Sequence, residues 1–159
     1  MRPIRRDSYV RFMPTTERIT TIDLATVERL STAFNRCFET LDADDDTFTD
    51  DAFFDLRPPF WRFQLQGPEA FVRQLRAIAE GTPSARILRV VPTSTGFVLE
   101  HEETQRGEQT FVAHRVWLCD VRDGRIAEAV GYCNGGWDEA LRARHAAEAP
   151  MLRDEEVQQ

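Results

Sequence analysis

Between Phe97 and Asn134 the chain carries long strand-like stretches, broken only at Arg106-Gly107 and Asp123-Gly124. Glycine after a polar residue is a strong hairpin signal. Phe97–Glu103, Thr110–Val121 and Arg125–Asn134 therefore read as three consecutive antiparallel strands. A sheet this long needs a cover, and two amphipathic segments upstream supply one. The expected class is α+β, one small domain with a cupped sheet.

The first helix opens behind Asp23, a natural N-cap. Leu24, Val27, Leu30, Ala33, Phe34, Cys37, Phe38 and Leu41 recur at spacings of three and four and form one wide apolar face. The second starts at Gly67-Pro68-Glu69, with proline near its first position and an acid in its first turn. Phe71, Val72, Leu75, Ile78 and Ala79 are its apolar face, and Gly81 is the expected terminator. Ala52–Leu56 and Ala85–Pro92 read as further strands, and Trp137–Ala149 as a short terminal helix. The expected organisation is an arm over residues 1–22, a domain over 23–149 and an acidic tail over 150–159.

At 159 residues, 42% hydrophobic and with 11 Phe, the chain has the length and composition of one globular domain. A net charge of -7 argues against nucleic acid or an anionic membrane as partner. All 20 basic residues are arginine, which excludes Schiff-base catalysis by a lysine side chain. No apolar run approaches the roughly 20 residues that span a bilayer. The Arg-rich start lacks the apolar stretch of a secretory signal. Cys37, Cys119 and Cys133 are odd in number and widely spaced, so free thiols in a reducing cytoplasm are expected. The acidic run Asp42–Asp51 lacks the glycine and closing glutamate of a calcium loop. It reads as a solvated turn with a short helical piece around Thr47-Phe48. Three scattered histidines give no metal-site spacing.

Gly67-Pro68-Glu69-Ala70-Phe71 resembles the Gly-x-Glu-x-Phe opening of the second long helix in the nuclear transport factor 2-like superfamily. Val121-Arg122-Asp123-Gly124-Arg125-Ile126 is similar to the last hairpin of its SnoaL-like members, and Tyr132 sits where these end their last strand with an aromatic. The superfamily includes ketosteroid isomerase and SnoaL-like polyketide cyclases. The resemblance implies a cone, with a strongly bent antiparallel sheet wrapped around a long N-terminal helix and a deep pocket at its open end. It also implies a homodimer through the outer sheet face and a small apolar molecule as ligand; if the chain is an enzyme, no metal or organic cofactor is expected.

The same resemblance turns Phe111, Ala113, Arg115, Trp117 and Cys119 inward, with Ala127, Ala129, Gly131 and Cys133 beside them. On Phe97–Glu103, one hairpin register points Phe97, Leu99, His101 and Glu103 inward, and a one-residue slip selects Val98, Glu100 and Glu102 instead. The first suits an apolar pocket and makes His101 the acid–base candidate, since its ordinary pKa lies near neutrality. Arg115 is expected to stabilise developing negative charge, or else to pair with Glu103, Asp55 or Glu100. Asp55 is a candidate base, or an exposed or Arg57-paired acid; it lies one position from Leu56, where the resemblance places the isomerase's general base. Trp117 replaces a functional acid, and Cys37 stands at the isomerase's helix tyrosine.

Trp117, Phe38, Phe54 and Leu99 are expected to shape the cavity. Trp61, with Phe60 and Phe63, forms either a lid or packing for its own loop. Cys37, Cys119 and Cys133 are thiols on the inner face, more often small hydrophobes than nucleophiles. The expected function is cofactor-independent proton-transfer chemistry (cyclisation, isomerisation or dehydration) on a polyketide-like or other apolar substrate. A non-catalytic ligand-binding or partner-stabilising module is the alternative.

Overall fold

The computed structural model describes residues 22–149. The arm expected before residue 22 and the tail from 150 lie outside the described residues. The elements are α1 (Leu24–Thr40), β1 (Phe48–Arg57), β2 (Phe63–Gln66), α2 (Pro68–Ile78), β3 (Thr82–Pro92), β4 (Gly96–Arg106), β5 (Thr110–Arg122), β6 (Arg125–Cys133) and α3 (Glu139–Glu148). One six-stranded sheet runs in the order β2-β1-β6-β5-β4-β3.

Local chemistry sets the helix and hairpin boundaries. The Asp23 carboxylate accepts the Thr26 amide at 2.8 Å and caps α1. Asp123 and Gly124 take φ of 53° and 72°, the left-handed pair that a two-residue hairpin turn requires. α2 ends at Ile78, earlier than expected, because Ala79 is already extended (φ -70°, ψ 127°). Gly81 serves close approach instead: a Cβ there would lie 2.2 Å from the Arg106 carbonyl oxygen.

Three features depart from the sequence reading. The sheet is mixed, because β1 joins β6 in parallel, with Phe54 opposite Ala129 and Leu56 opposite Gly131. The residues around Thr47-Phe48 are not helical. A turn leads into β1 at Phe48, whose ring is 2% exposed in the core, and the Ile126 amide donates to the Thr47 carbonyl at 2.9 Å. The third is β2, an added edge strand that pairs Leu65 with Phe54.

The core lies between α1, α2 and the concave face of the sheet. Val27, Leu30, Phe34, Cys37 and Phe38 of α1 meet Phe71 and Leu75 of α2 and Phe48, Phe54, Phe97, Leu99 and Trp117 of the sheet. Phe54 stacks on Phe71 at 4.3 Å, and Phe34 meets Trp117 edge-on at 5.0 Å. Each fully buried aromatic of this kind contributes on the order of 2–3 kcal/mol. These aromatic side chains pack against one another inside the cone.

Candidate functional site

Strand pairing fixes which side chains share the concave face, since opposed residues point the same way. One inner row runs Gly131–Trp117–Leu99, and the next runs Cys133–Arg115–His101. Phe97, Leu99, His101 and Glu103 are all buried, so this register turns them inward together. On β6 a register shift at Asp120/Val121 brings Ile126, rather than Ala127, into the core. Gly131 is the close-approach position of this face: a Cβ there would sit 2.4 Å from the Trp117 ring.

His101 is 0% exposed. Trp117 Nε1 donates to its Nε2 at 3.2 Å. Indole nitrogen is a donor only, so Nε2 is the accepting nitrogen and Nδ1 carries the proton. That Nδ1–H meets Asn35 Oδ1 at 2.9 Å, while Asn35 Nδ2 donates to the Ala85 carbonyl. Phe38 covers the imidazole edge-on at 4.6 Å. Burial first, and the nearby Arg115 guanidinium second, push the His101 pKa down to about 3. The ring is neutral at physiological pH, with both nitrogens engaged and no lone pair left for proton abstraction.

Arg115, within this row, pairs with Glu103 of the next. Arg115 Nε and one terminal nitrogen each lie 2.7 Å from Glu103 Oε2, and Gln105 Nε2 donates to Oε1 at 2.7 Å. The guanidinium also lies 5.7 Å from the centre of the Phe38 ring. Arg115 and Glu103 line a hollow of about 250 Å³, open on one side, together with Phe111, Ala113, Ile78 and Gly136. Besides its apolar wall it carries the ion pair, Gln105 and a second carboxylate, Glu80, and it lies at the end of the sheet where β4 finishes and β5 begins.

The remaining expected residues fall into three settings. Cys37, Phe38, Phe54, Leu99, Trp117 and Cys119 face inward but pack against one another, each at most 3% exposed. Burial raises the Cys37 thiol pKa to about 12 and that of Cys119 well above its usual value, so neither is a ready thiolate. Cys133 is half-buried and its sulfur accepts the Gly135 amide at 3.2 Å.

Asp55 stands on the outer face, opposite Val130 in the ladder. Arg62 holds it with two bonds of 2.8 and 2.7 Å, and Arg57 adds two of 3.2 and 2.7 Å. These hydrogen bonds, from Arg62 first and Arg57 second, keep its carboxyl well below the usual range. It is a clamped anion away from His101, which corrects its candidacy as a base. Trp61 and Phe60 are 73% and 104% exposed, so their rings form no packed lid. Asn35 was missed, although a carboxamide beside Phe34 and between Ser31 and Phe38 on an apolar helix face marks a buried polar partner.

No protein-family model matches the sequence, and no curated protein matches it. Solved structures do share the fold. An LEH-like epoxide hydrolase from M. tuberculosis superposes with a TM-score of 0.55 at 17% identity, over 69% of this chain and 84% of that one. A protein with a ketosteroid isomerase-like fold from Catenulispora acidiphila, in complex with trimethylamine, gives 0.56 at 12%, over 66% and 85%. An NTF-2 like protein of unknown function from Burkholderia xenovorans gives 0.55 at 19%, over 85% and 95%. The likeness at these identities is one of fold: the chain has the nuclear transport factor 2-like cone.

Proposed function

We propose that on this nuclear transport factor 2-like frame the chain is a small-molecule-binding module, with its ligand in the hollow beside Arg115 and Glu103. The observation that carries the reading is the engagement of both nitrogens of the buried His101, which removes the expected proton carrier. At about 250 Å³ the hollow falls below the roughly 300–1,000 Å³ of drug-sized sites, so a small ligand fits better than a polyketide skeleton. Its apolar body would lie on Phe111, Ile78 and Ala113, and a polar head would meet the ion pair. One structural neighbour is in complex with trimethylamine, a small molecule.

A proton-transfer enzyme is the second reading, with cyclisation, isomerisation or dehydration as its reaction and no cofactor. What favours it is Glu103, a carboxylate 4% exposed at the wall of the hollow. The proton would then move through Glu103, with Arg115 holding the developing negative charge. A homodimer through the outer face fits both readings. Leu118, Val91 and Tyr132 are 46%, 44% and 44% exposed there, and Leu118→Arg would leave a monomer. No helix among the described residues is long and apolar enough to cross a membrane. The free thiols of Cys37, Cys119 and Cys133 fit a reducing cytoplasm.

The test is a fragment screen by calorimetry against the wild type and Ala113→Leu, which fills the hollow. Fragments should bind the wild type and lose about tenfold or more in the variant, since each factor of ten is about 1.4 kcal/mol of contact. Equal binding by both proteins would overturn the assignment.

A further inference from the structure

A second and larger depression lies outside the cone. It holds about 770 Å³ between the loop after α1 and the outer side of α2. Its rim carries Asp42, Asp44, Asp45, Asp46, Asp50 and Glu69, set against Arg73, Arg76 and Arg125. Six carboxylates against three guanidiniums leave it a net charge of three negatives. Arg76 reaches Asp42 at 3.4 Å and Arg125 reaches Asp50 at 3.3 Å. Among the described residues no basic side chain pairs with Asp44, Asp45 or Asp46. The half-buried Ala43 and Pro68 give it an apolar lining, with Phe48 and Val72 buried behind them. An occupant must be cationic and apolar at once, which excludes phosphates and acidic surfaces.

The chain itself carries such a segment. Residues 1–21 hold Arg2, Arg5, Arg6, Arg11 and Arg18 against Asp7 and Glu17, a net of three positives. Ile4, Tyr9, Val10, Phe12 and Met13 alternate with these charges. The segment joins the fold at Ile22, just before the first turn of α1. Arg29, about 7.5 Å further along that helix, donates to the Asp46 carbonyl at 3.4 Å and to the Gly124 carbonyl at 2.6 Å. The groove rim is therefore near the point of attachment, well inside the ~70 Å that 21 residues can span.

We propose that this acidic groove is the docking site of the chain's own N-terminal segment, residues 1–21. The arginines meet Asp44–Asp46 and Glu69, and the intervening apolar residues lie on Ala43 and Pro68. Tethering makes even weak contacts effective, because the segment is held near the site at a local concentration of order millimolar.

Hydrogen exchange on the full chain tests this, comparing the wild type with the triple variant Asp44→Asn, Asp45→Asn, Asp46→Asn. All three side chains are exposed, so the variant keeps its fold, and unchanged exchange across β4–β6 verifies that. Amides of residues 2–13 should exchange several-fold more slowly in the wild type at low salt than in the variant. The protection should also vanish near 1 M salt, where the screening length falls to ~3 Å. Equal exchange in the two proteins would overturn the proposal. So would protection that grows with protein concentration, which would place the segment on a second copy.

Discussion

Trp117 Nε1 donates to His101 Nε2 across two adjacent inner rows of the sheet, at 3.2 Å. That single bond fixes the tautomer of the histidine and hands its other nitrogen to Asn35. The pair converts a residue that reads as an acid–base group into a core hydrogen-bond hub. Its thermodynamic signature follows from the pKa near 3.

A histidine whose folded pKa lies below its unfolded value binds fewer protons when folded. Between the folded pKa of about 3 and an unfolded value near 6.5, stability falls as pH falls. The slope reaches about 1.4 kcal/mol per pH unit. Urea unfolding of the wild type should show it between about pH 5 and 6.5, above the range where carboxylates titrate. His101→Gln should remove most of that slope. A wild-type slope no steeper than the variant's would contradict the buried, neutral assignment.

Gly131 and Trp117 form a matched pair, because a Cβ at position 131 would sit 2.4 Å from the indole ring. Gly131→Ala should cost about 1–3 kcal/mol through overpacking. In a Trp117→Leu background the same change should cost much less, since the obstructing ring is gone. The coupling energy of that cycle, from denaturant unfolding of the four proteins, is the quantity to measure.

Arg115 and Glu103 have side chains only 13% and 4% exposed. Glu103→Gln leaves a guanidinium without its counter-charge, and removing one partner of a buried pair costs roughly 3 kcal/mol. Replacing both, Glu103→Leu with Arg115→Met, should be milder than either single change. Thermal unfolding orders the three variants, and a double variant worse than both singles would contradict this account of the pair.

Much of the frame was legible because its signals are local. The Asp23 cap, the Asp123-Gly124 turn and the three-and-four spacing of α1 each act within a few residues. The strand β2 and the parallel pairing of β1 with β6 were not, since Leu56 meets Gly131 across 75 residues and nothing in either segment encodes that contact. The inward set was readable from alternation. Whether that set encloses a void was not, because it depends on how Phe34, Phe38, Phe71 and Trp117 divide one volume. Asp55 misled for a related reason. Its neighbour Arg57 was visible, but the second clamp from Arg62 depends on how the chain turns after Pro59.

The most direct measurement is an NMR fragment titration that follows the ring signals of His101 and the amides lining the hollow. The account predicts shifts at Phe111, Ala113, Arg115 and Gly136, with the His101 ring unmoved and protonated at Nδ1 throughout. Fragments that perturb the His101 ring directly, or a His101 ring that itself titrates near neutral pH, would contradict it and return proton transfer to the centre of the cone.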